Sequence, residues 1–167
     1  GAAMVNDVEA LRAPGAIEAC AASEAGVCLM HMRGDPATMQ AAPSYADVVA
    51  EVRAFLVARV SACVAAGIAR ERIVVDPGFG FGKSLAHNLA LLRSLGELAT
   101  LGCPVLVGLS RKSSLGQITG RDSGGRLAAS LAAALAAVAR GAAIVRAHDV
   151  RETVDALKVW RAVEQGN

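Results

Sequence analysis

The chain has 167 residues, of which 54% are hydrophobic and 19% are charged, and its formal net charge is +2. This length is enough for one globular domain with a substantial core, and the composition is too apolar for a disordered or fibrous chain. The charges do not gather in runs of one sign, so neither a nucleic acid nor a membrane surface is expected as a partner. We therefore expect small-molecule partners.

The cysteines show no C-x-x-C pairing, and all lie in apolar segments: Cys20, Cys28, Cys63 and Cys103. This usage is typical of small buried side chains in a reducing compartment, so we expect a cytoplasmic protein without a cysteine-bound metal. The longest apolar run, 127–139, is interrupted by Ser130 and is too short to span a bilayer. It predicts a packed helix rich in alanine.

Five short apolar segments predict strands, and a segment of helical character follows each one. The strands are predicted over residues 2–8, 27–32, 72–76, 104–109 and 142–147. The helices are predicted over residues 14–24, from 47 to a stop at 67, and over 87–98, 126–140 and 152–164. This alternation predicts an α/β fold with a parallel sheet built of βαβ units.

Polar side chains follow every predicted strand at its carboxyl end. In chain order they are Asn6 and Asp7, His31, Asp76, Ser110 with Arg111 and Lys112, and Arg146 with His148 and Asp149. Because the carboxyl ends of parallel strands lie on one side of a sheet, these groups are expected to converge there, as in a (β/α)8 TIM barrel. Five units cannot close an eight-stranded barrel. We therefore expect residues 1–167 to be the carboxyl-terminal part of one barrel domain whose first three βα units precede the chain.

The segment IVVDPGFGFGKS, at residues 73–84, ends a buried strand on a carboxylate before Pro77, which cannot extend a strand. Phe79 and Phe81 alternate with glycines, which lets the backbone approach a flat ligand while the rings stack against it. The alternative is that both rings are buried and the glycines only form a tight turn. Nucleotide-phosphate motifs do not fit, because they require glycine at Pro77 or at Lys83.

The strand ends offer recognition of a ring on one side and of an anion on the other. The Asp76 carboxylate can accept two parallel hydrogen bonds from an amino-substituted heterocycle, or act as a general base, and the Asn6 amide can both donate and accept. Arg146 and His148, as alternate residues of a strand, would point the same way and form a cationic pocket for phosphate. The alternative for this pair is an ion pair with Asp149 or Asp7.

The segment SRKSS, which begins at Ser110, could bind an anion through hydroxyls, backbone N–H groups at a helix start and Lys112, or it could be a solvated loop. His31, between two methionines, is more often a core histidine than a ligand. No nucleophile–base motif such as G-x-S-x-G or H-E-x-x-H occurs. These features suit transfer of a group whose leaving group is phosphate or diphosphate.

Four strings, CLMHMRGDPATMQ, DPGFGFGKS, GLSRKSSLG and RAHD, occur in an order and at spacings that resemble the dihydropteroate synthases. These folate-pathway enzymes join 4-aminobenzoate to 7,8-dihydropterin-6-ylmethyl diphosphate. The resemblance extends from the first residue to the last predicted helix and implies that the chain begins at the fourth barrel strand. It also implies a homodimer when the barrel is complete, binding of sulfonamides in place of aminobenzoate, and Mg²⁺ bound with the substrate diphosphate through a protein ligand outside this chain.

The resemblance assigns substrate-binding roles to particular residues. Those for the pterin are Asn6, Met30, Asp76, Gly108 and Lys112. Those for aminobenzoate are Phe81, Ser113 and Lys112, and those for the diphosphate are Arg146 and His148. Lys112 and Asp76 would be the catalytic residues, with diphosphate leaving before the amine attacks, so that the protein positions groups and stabilises charge. Because two loops and two polar residues of the family fall outside the chain, we expect little or no synthase activity from it alone.

Two other functions would share parts of this pattern. A barrel that passes a methyl group from methyltetrahydrofolate to a corrinoid would use the same Asn6 and Asp76 contacts, but it needs neither the SRKSS loop nor the Arg-x-His pair. A non-catalytic half-barrel would bind pterin, or its missing half, without turnover.

Overall fold

The computed structural model describes residues 1–34, 39 and 43–166, with the side chain of Gln165 left aside. Within the CLMHMRGDPATMQ string, residues 35–38 and 40 lie outside the described residues. The strands are β1 (Met4–Asp7), β2 (Gly26–Met30), β3 (Ile73–Asp76), β4 (Val105–Val107) and β5 (Ala142–Val145). The helices are α1 (Ala16–Ala21), α2 (Val48–Ala65), α3 (Leu85–Arg93), α4 (Leu95–Ala99), α5 (Ser113–Thr119), α6 (Leu127–Val138) and α7 (Val150–Gln165).

The five strands form one parallel sheet in the order β1-β2-β3-β4-β5. Each strand therefore pairs with its neighbour in sequence, and the helical connections run between parallel strands. This is the arrangement of five consecutive βα units of a (β/α)8 barrel, and the predicted α/β fold class is confirmed. None of the helices in the described part of the chain is both long and apolar enough to cross a membrane.

The central strands are buried on both faces, which explains their continuous apolar sequences. One face of β2 and β3 packs into the large core beneath the helices through Val27, Leu29, Ile73 and Val75. The other face carries Cys28, Val74 and Leu106, with Ile144 beside them. Since side chains alternate along a strand, Asp76 lies on this second face, two residues beyond Val74. The second face thus leads directly to the carboxyl rim of the sheet.

Local signals set most of the element boundaries. Helix α2 begins where predicted, because the Asp47 carboxylate accepts hydrogen bonds from the N–H groups of Val49 and Ala50 at 3.0 and 3.1 Å. The single helix predicted over 87–98 is instead two helices, α3 and α4, which meet at Ser94. The short helix α5 was not predicted as an element of its own, because seven residues rich in serine and glycine carry little helical periodicity.

The last strand is shorter than predicted. Strand β5 ends at Val145, so the prediction that Arg146 and His148 are alternate residues of a strand is wrong. The Arg146 N–H still donates to the Val107 carbonyl at 2.9 Å, which is the last sheet-like hydrogen bond before the chain turns into α7. Arg146 and His148 therefore lie in a turn, where sheet geometry no longer fixes the direction of their side chains.

Candidate active site

A cavity of about 430 Å³ lies at the carboxyl ends of β4 and β5. It is lined by residues from three successive rim segments: Phe81, Gly108, Ser110, Lys112, Arg146, Ala147 and His148. Five of these are among the site residues suggested by the sequence, from three separate strings. The convergence expected of parallel strand ends is therefore present at this rim.

Asp76 is the buried charge of the site, with a side chain only 1% exposed. Its Oδ1 accepts the Gly78 N–H at 2.7 Å, and its Oδ2 accepts Arg146 Nη2 at 3.1 Å. Burial raises the pKa of the Asp76 carboxyl, and the Gly78 N–H and the Arg146 and Lys112 cations oppose that rise. The carboxylate is thus an acceptor that depends on its partners for stabilisation of its charge.

Arg146 joins the two predicted ring-recognition residues. Its Nη1 donates to Asn6 Oδ1 at 2.7 Å while its Nη2 donates to Asp76, so one guanidinium bridges the ends of β1 and β3. The sequence had suggested an ion pair of Arg146 with Asp149 or Asp7 as the alternative to anion binding, and the structure shows Asp76 as its partner instead. Gly108 permits this position, because a Cβ there would lie 2.6 Å from Arg146 Nη2.

Lys112 lines the same cavity as Arg146. Its Nζ is 4.3 Å from the centroid of the Phe81 ring, a cation–π distance. Burial lowers the pKa of Lys112, and the Asp76 carboxylate opposes that effect. Phe81 and Lys112 therefore form one wall of the cavity, in which an aromatic ring and a cation lie side by side.

The two phenylalanines of the glycine-rich loop have different environments. Phe79 is 2% exposed and belongs to the core, as the turn-only interpretation expected, whereas Phe81 lines the cavity, as the ligand interpretation expected. Gly78 and Gly82 have φ of +69° and +63°, and a Cβ on either would lie about 2 Å from a backbone carbonyl oxygen, that of His31 or Arg33. These glycines are required for the loop to lie against the end of β2.

Lys83 holds the loop from inside, a role that the sequence analysis does not predict. It is 3% exposed, and its Nζ donates to the carbonyl oxygens of Gly78 and Phe81 at 3.0 Å and of His31 at 3.3 Å. Burial lowers the pKa of Lys83 to about 7. A buried lysine that donates to two backbone carbonyls of its own loop and to one just after β2 fixes the shape of the loop and ties it to β2.

His31 is a core histidine, as the sequence favoured. Its Nδ1 lies 3.0 Å from Lys83 Nζ, and its ring packs edge-on against Phe55. Burial, with the nearby Lys83 and Arg33 cations, lowers the pKa of His31 to about 3, so the ring is neutral and its Nδ1 accepts from the lysine. His31 therefore supports the loop and does not line the cavity.

The turn after β5 is fixed by polar contacts to the turn after β4. His148 Nδ1 lies 3.0 Å from Ser110 Oγ, and the His148 N–H donates to the same oxygen at 3.2 Å. Asp149 pairs with Arg111 through two hydrogen bonds of 3.1 and 2.5 Å. Ser110 and Arg111 thus bind the turn after β5. The sequence analysis does not predict this role, because it depends on contacts between residues 38 positions apart.

The remaining two predicted site residues lie next to this cavity. Met30 is 1% exposed and packs against Gly78, at the end of the strand beside β3. Ser113 lines a separate cavity of about 300 Å³ between the first turns of α3 and α5, together with Lys83 and Ser84. Ser113 follows Lys112 directly, so the two cavities are neighbours at the rim.

The carboxylates near the rim already have protein partners. Asp76 pairs with Arg146, Asp149 pairs with Arg111, and Asp7 accepts the N–H groups of Glu9 and Leu11. Across residues 1–34, 39 and 43–166, no group of three His, Cys, Asp or Glu side chains is close enough to hold a metal ion. These residues therefore do not fit a protein-bound Mg²⁺.

Residues 1–148 match the family model described as pterin binding enzyme, and the chain belongs to that family. A similar curated relative is the dihydropteroate synthase of Neisseria meningitidis serogroup B, 56% identical over 168 residues, with coverage of 98% of this chain and 59% of the relative. A similar solved structure is the dihydropteroate synthase of Xanthomonas albilineans in complex with 7,8-dihydropteroate, at a TM-score of 0.92 and 54% identity, covering 98% of this chain and 62% of that one. The dihydropteroate synthase of Yersinia pestis in a sulfonamide drug complex aligns with a TM-score of 0.96 and 46% identity, over 100% of this chain and 61% of that one.

These relatives confirm the resemblance that the four strings suggested. They are synthases, so the methyltransferase interpretation is not favoured. The chain spans 59% of the length of the curated relative from Neisseria meningitidis.

Proposed function

We propose that this chain forms the carboxyl-terminal part of a dihydropteroate synthase. The enzyme would condense 7,8-dihydropterin-6-ylmethyl diphosphate with 4-aminobenzoate to give 7,8-dihydropteroate and diphosphate. The observation that carries this proposal is the buried Asp76 carboxylate, linked to Asn6 through Arg146, beside a cavity with an aromatic and cationic wall. The named relatives support the same chemistry.

For the pterin, the proposal uses the inner face of the sheet at its rim. Asp76 would accept hydrogen bonds from the amino-substituted edge of the ring, and Asn6 would bond the ring heteroatoms next to it. Met30 and Gly108 would shape the pocket, and Lys112 would donate to the ring. A flat ring suits this place because Gly108 contributes no side chain, and the atoms nearest to an added Cβ there belong to the movable end of Arg146.

For aminobenzoate, the proposal uses the loop that Lys83 holds. Phe81 would pack beside the benzene ring, Lys112 would lie near it, and Ser113 would receive the carboxylate. The half-buried position of Phe81 in the cavity, with Ser113 in the neighbouring cavity, supports this division of roles. Sulfonamides would then occupy the same position.

For the reaction, Arg146 and His148 would hold the diphosphate. The bond between the pterin methylene carbon and the diphosphate oxygen breaks, and its electron pair leaves with the diphosphate. The amine nitrogen then forms a bond to that carbon and loses a proton. The side chains orient the two substrates and stabilise the separated charges, with Lys112 and Asp76 closest to the reacting pterin.

Several parts of the proposal concern the whole protein. The chain would supply five βα units of the barrel and would have little or no activity by itself, so turnover of both substrates by this chain would contradict this part. Mg²⁺ would accompany the substrate diphosphate with its protein ligand outside the chain, and no step above depends on it. The homodimer rests on the resemblance, and cytoplasmic placement is supported by four buried, unpaired cysteines.

The test of the proposed function is Asp76→Asn, measured by calorimetry with 6-hydroxymethyl-7,8-dihydropterin. An amide cannot accept both ring hydrogen bonds, so we expect pterin binding to fall at least a hundredfold, which corresponds to about 2.7 kcal/mol. Asp149→Asn is the matched control, since it makes the same change at a rim carboxylate that pairs with Arg111. Equal affinities for the wild type and Asp76→Asn would remove Asp76 from the site.

A further inference from the structure

The Arg146 guanidinium lies where the proposed pterin edge would lie. It donates to Asn6 Oδ1 at 2.7 Å and to Asp76 Oδ2 at 3.1 Å. These are acceptor atoms on the two residues proposed to recognise the ring. The other Asp76 oxygen already accepts the Gly78 N–H at 2.7 Å. A ring that donates to the same two oxygens, Asn6 Oδ1 and Asp76 Oδ2, from the place of the guanidinium has to displace it.

Displacement has an energetic cost that depends on where the guanidinium goes. Asp76 is almost completely buried, and separating a buried carboxylate from its cation is costly unless new donors replace that cation. The ring can supply those donors to Asp76. The guanidinium, however, loses two charge-assisted or polar hydrogen bonds and needs a new acceptor of its own.

Arg146 is placed so that it can change partners. Its side chain is 44% exposed, in contrast to the 1% of Asp76, and it extends from the turn that follows β5. His148, two residues further on, lines the same cavity and is held by Ser110. An anion near His148 would give the guanidinium a charged acceptor close to its present position.

We propose that Arg146 is a specificity latch that makes recognition of the pterin ring conditional on a phosphate or diphosphate group at His148. This inference rests on the proposed function. With the anion present, Arg146 leaves Asn6 and Asp76 to pair with it, and the ring takes its place. Without the anion, a pterin must break the Arg146 contacts and leave the guanidinium without an equivalent partner. The latch therefore favours pterins that carry the leaving group over pterins that lack it.

The consequence is a thermodynamic coupling between two parts of one site. Couplings of this kind between two ligands are commonly 5- to 150-fold in affinity, and they are reciprocal. We expect saturating inorganic diphosphate to tighten binding of 6-hydroxymethyl-7,8-dihydropterin, which lacks phosphate, about tenfold. Saturating pterin should raise the affinity for diphosphate by the same factor.

The experiment is calorimetry on the chain with those two probes, in the wild type and in Arg146→Ala. The variant removes the latch, so we expect its affinity for the phosphate-free pterin to be about tenfold higher than that of the wild type and independent of diphosphate. Arg140→Ala is the matched control, because it removes the same charge from the opposite end of β5, where the Arg140 guanidinium donates to the Ala136 carbonyl of α6. It should retain the wild-type coupling.

Two further variants separate the latch from simpler roles. His148→Ala removes the side chain beside which the anion would bind, so the coupling between diphosphate and the phosphate-free pterin should become smaller than in the wild type. Arg146→Lys keeps the charge, but its single ammonium cannot reproduce the planar bridge, so its coupling should lie between those of the wild type and Arg146→Ala. If Arg146→Ala does not fold, the coupling measured in Arg146→Lys still tests the latch.

Three results would overturn the latch. The first is a wild-type pterin affinity that diphosphate does not change, and the second is coupling that persists in Arg146→Ala. The third is weaker pterin binding by Arg146→Ala without diphosphate, which would make Arg146 a simple ring contact. If the wild type binds no pterin at any diphosphate concentration, the proposed function fails as well, whereas binding without coupling removes the latch alone.

Discussion

The loop after β3 and the turn after β5 both deliver a cationic side chain towards Asp76, but they are built in opposite ways. In the loop, Lys83 is buried and bonds to three backbone carbonyls, and two glycines allow the backbone to press against the end of β2. In the turn, Arg146 is half exposed and bonds to side chains of two distant strands. Lys83 is thus held by contacts within the fold, whereas the Arg146 side chain is held by contacts that a ligand can replace.

This difference separates support from recognition. The cation of the loop cannot leave without breaking buried hydrogen bonds, so Lys83 fixes where Phe81 lies. The cation of the turn has access to solvent and can exchange one anionic partner for another. Changes to the loop should therefore alter the stability of the fold, and changes to the turn should alter binding with little effect on stability.

The largest effect on stability is expected for Gly78→Ala in the loop. A Cβ at Gly78 would lie 1.9 Å from the His31 carbonyl oxygen, at φ +69°. Gly102→Ala is the matched control, because Gly102 has φ +70° and no atom within 4 Å of an added Cβ. We expect Gly102→Ala to cost about 1 kcal/mol in the free energy of unfolding, from backbone strain alone, and Gly78→Ala to cost roughly 3 to 5 kcal/mol. Equal losses in urea denaturation would show that the loop does not press against β2.

A smaller, pH-dependent effect is expected at the histidine beneath the loop. Burial lowers the folded-state pKa of His31 to about 3, from an ordinary value of 6.5. Between these values the unfolded chain binds a proton that the folded chain does not, so stability is lost as the pH falls below 6.5. His31→Gln keeps an acceptor for Lys83 and cannot titrate. We expect the wild type to lose on the order of 3 kcal/mol more than His31→Gln between neutral pH and about pH 4. Parallel stability curves for the two proteins would contradict the buried, neutral state of His31.

The smallest effect is expected at the ion pair beside the turn. Arg111 and Asp149 make two hydrogen bonds, but both charges lie near solvent, which screens their attraction. A double-mutant cycle with Arg111→Ala and Asp149→Ala should therefore give a coupling free energy close to the error of denaturant unfolding. A coupling as large as the Gly78→Ala effect would mean that the turn is held as rigidly as the loop, and it would remove the basis of the comparison.

Much of the rim could be predicted because it follows from local and periodic features. Apolar runs that end on polar residues predicted the parallel strands, and Asp47 predicted the start of α2. The different environments of the two phenylalanines could not be predicted, because each is flanked by glycines on both sides and only the fold decides which ring meets the core. The partner of Arg146 could not be predicted either, since Asp76 is 70 residues away and three other carboxylates follow strand ends or precede helices.

The sequence by itself determined the order of the five strands with a helical segment after each, the side of the sheet on which polar groups gather, and the family to which the chain belongs. These follow from the alternation of side chains along each strand and from motifs of adjacent residues. Only the tertiary structure decided that Lys83 is buried as the support of a loop and that Arg146 bridges Asn6 and Asp76. Burial and charge pairing depend on which segments, distant in sequence, meet in the fold. No local pattern in the sequence specifies those contacts.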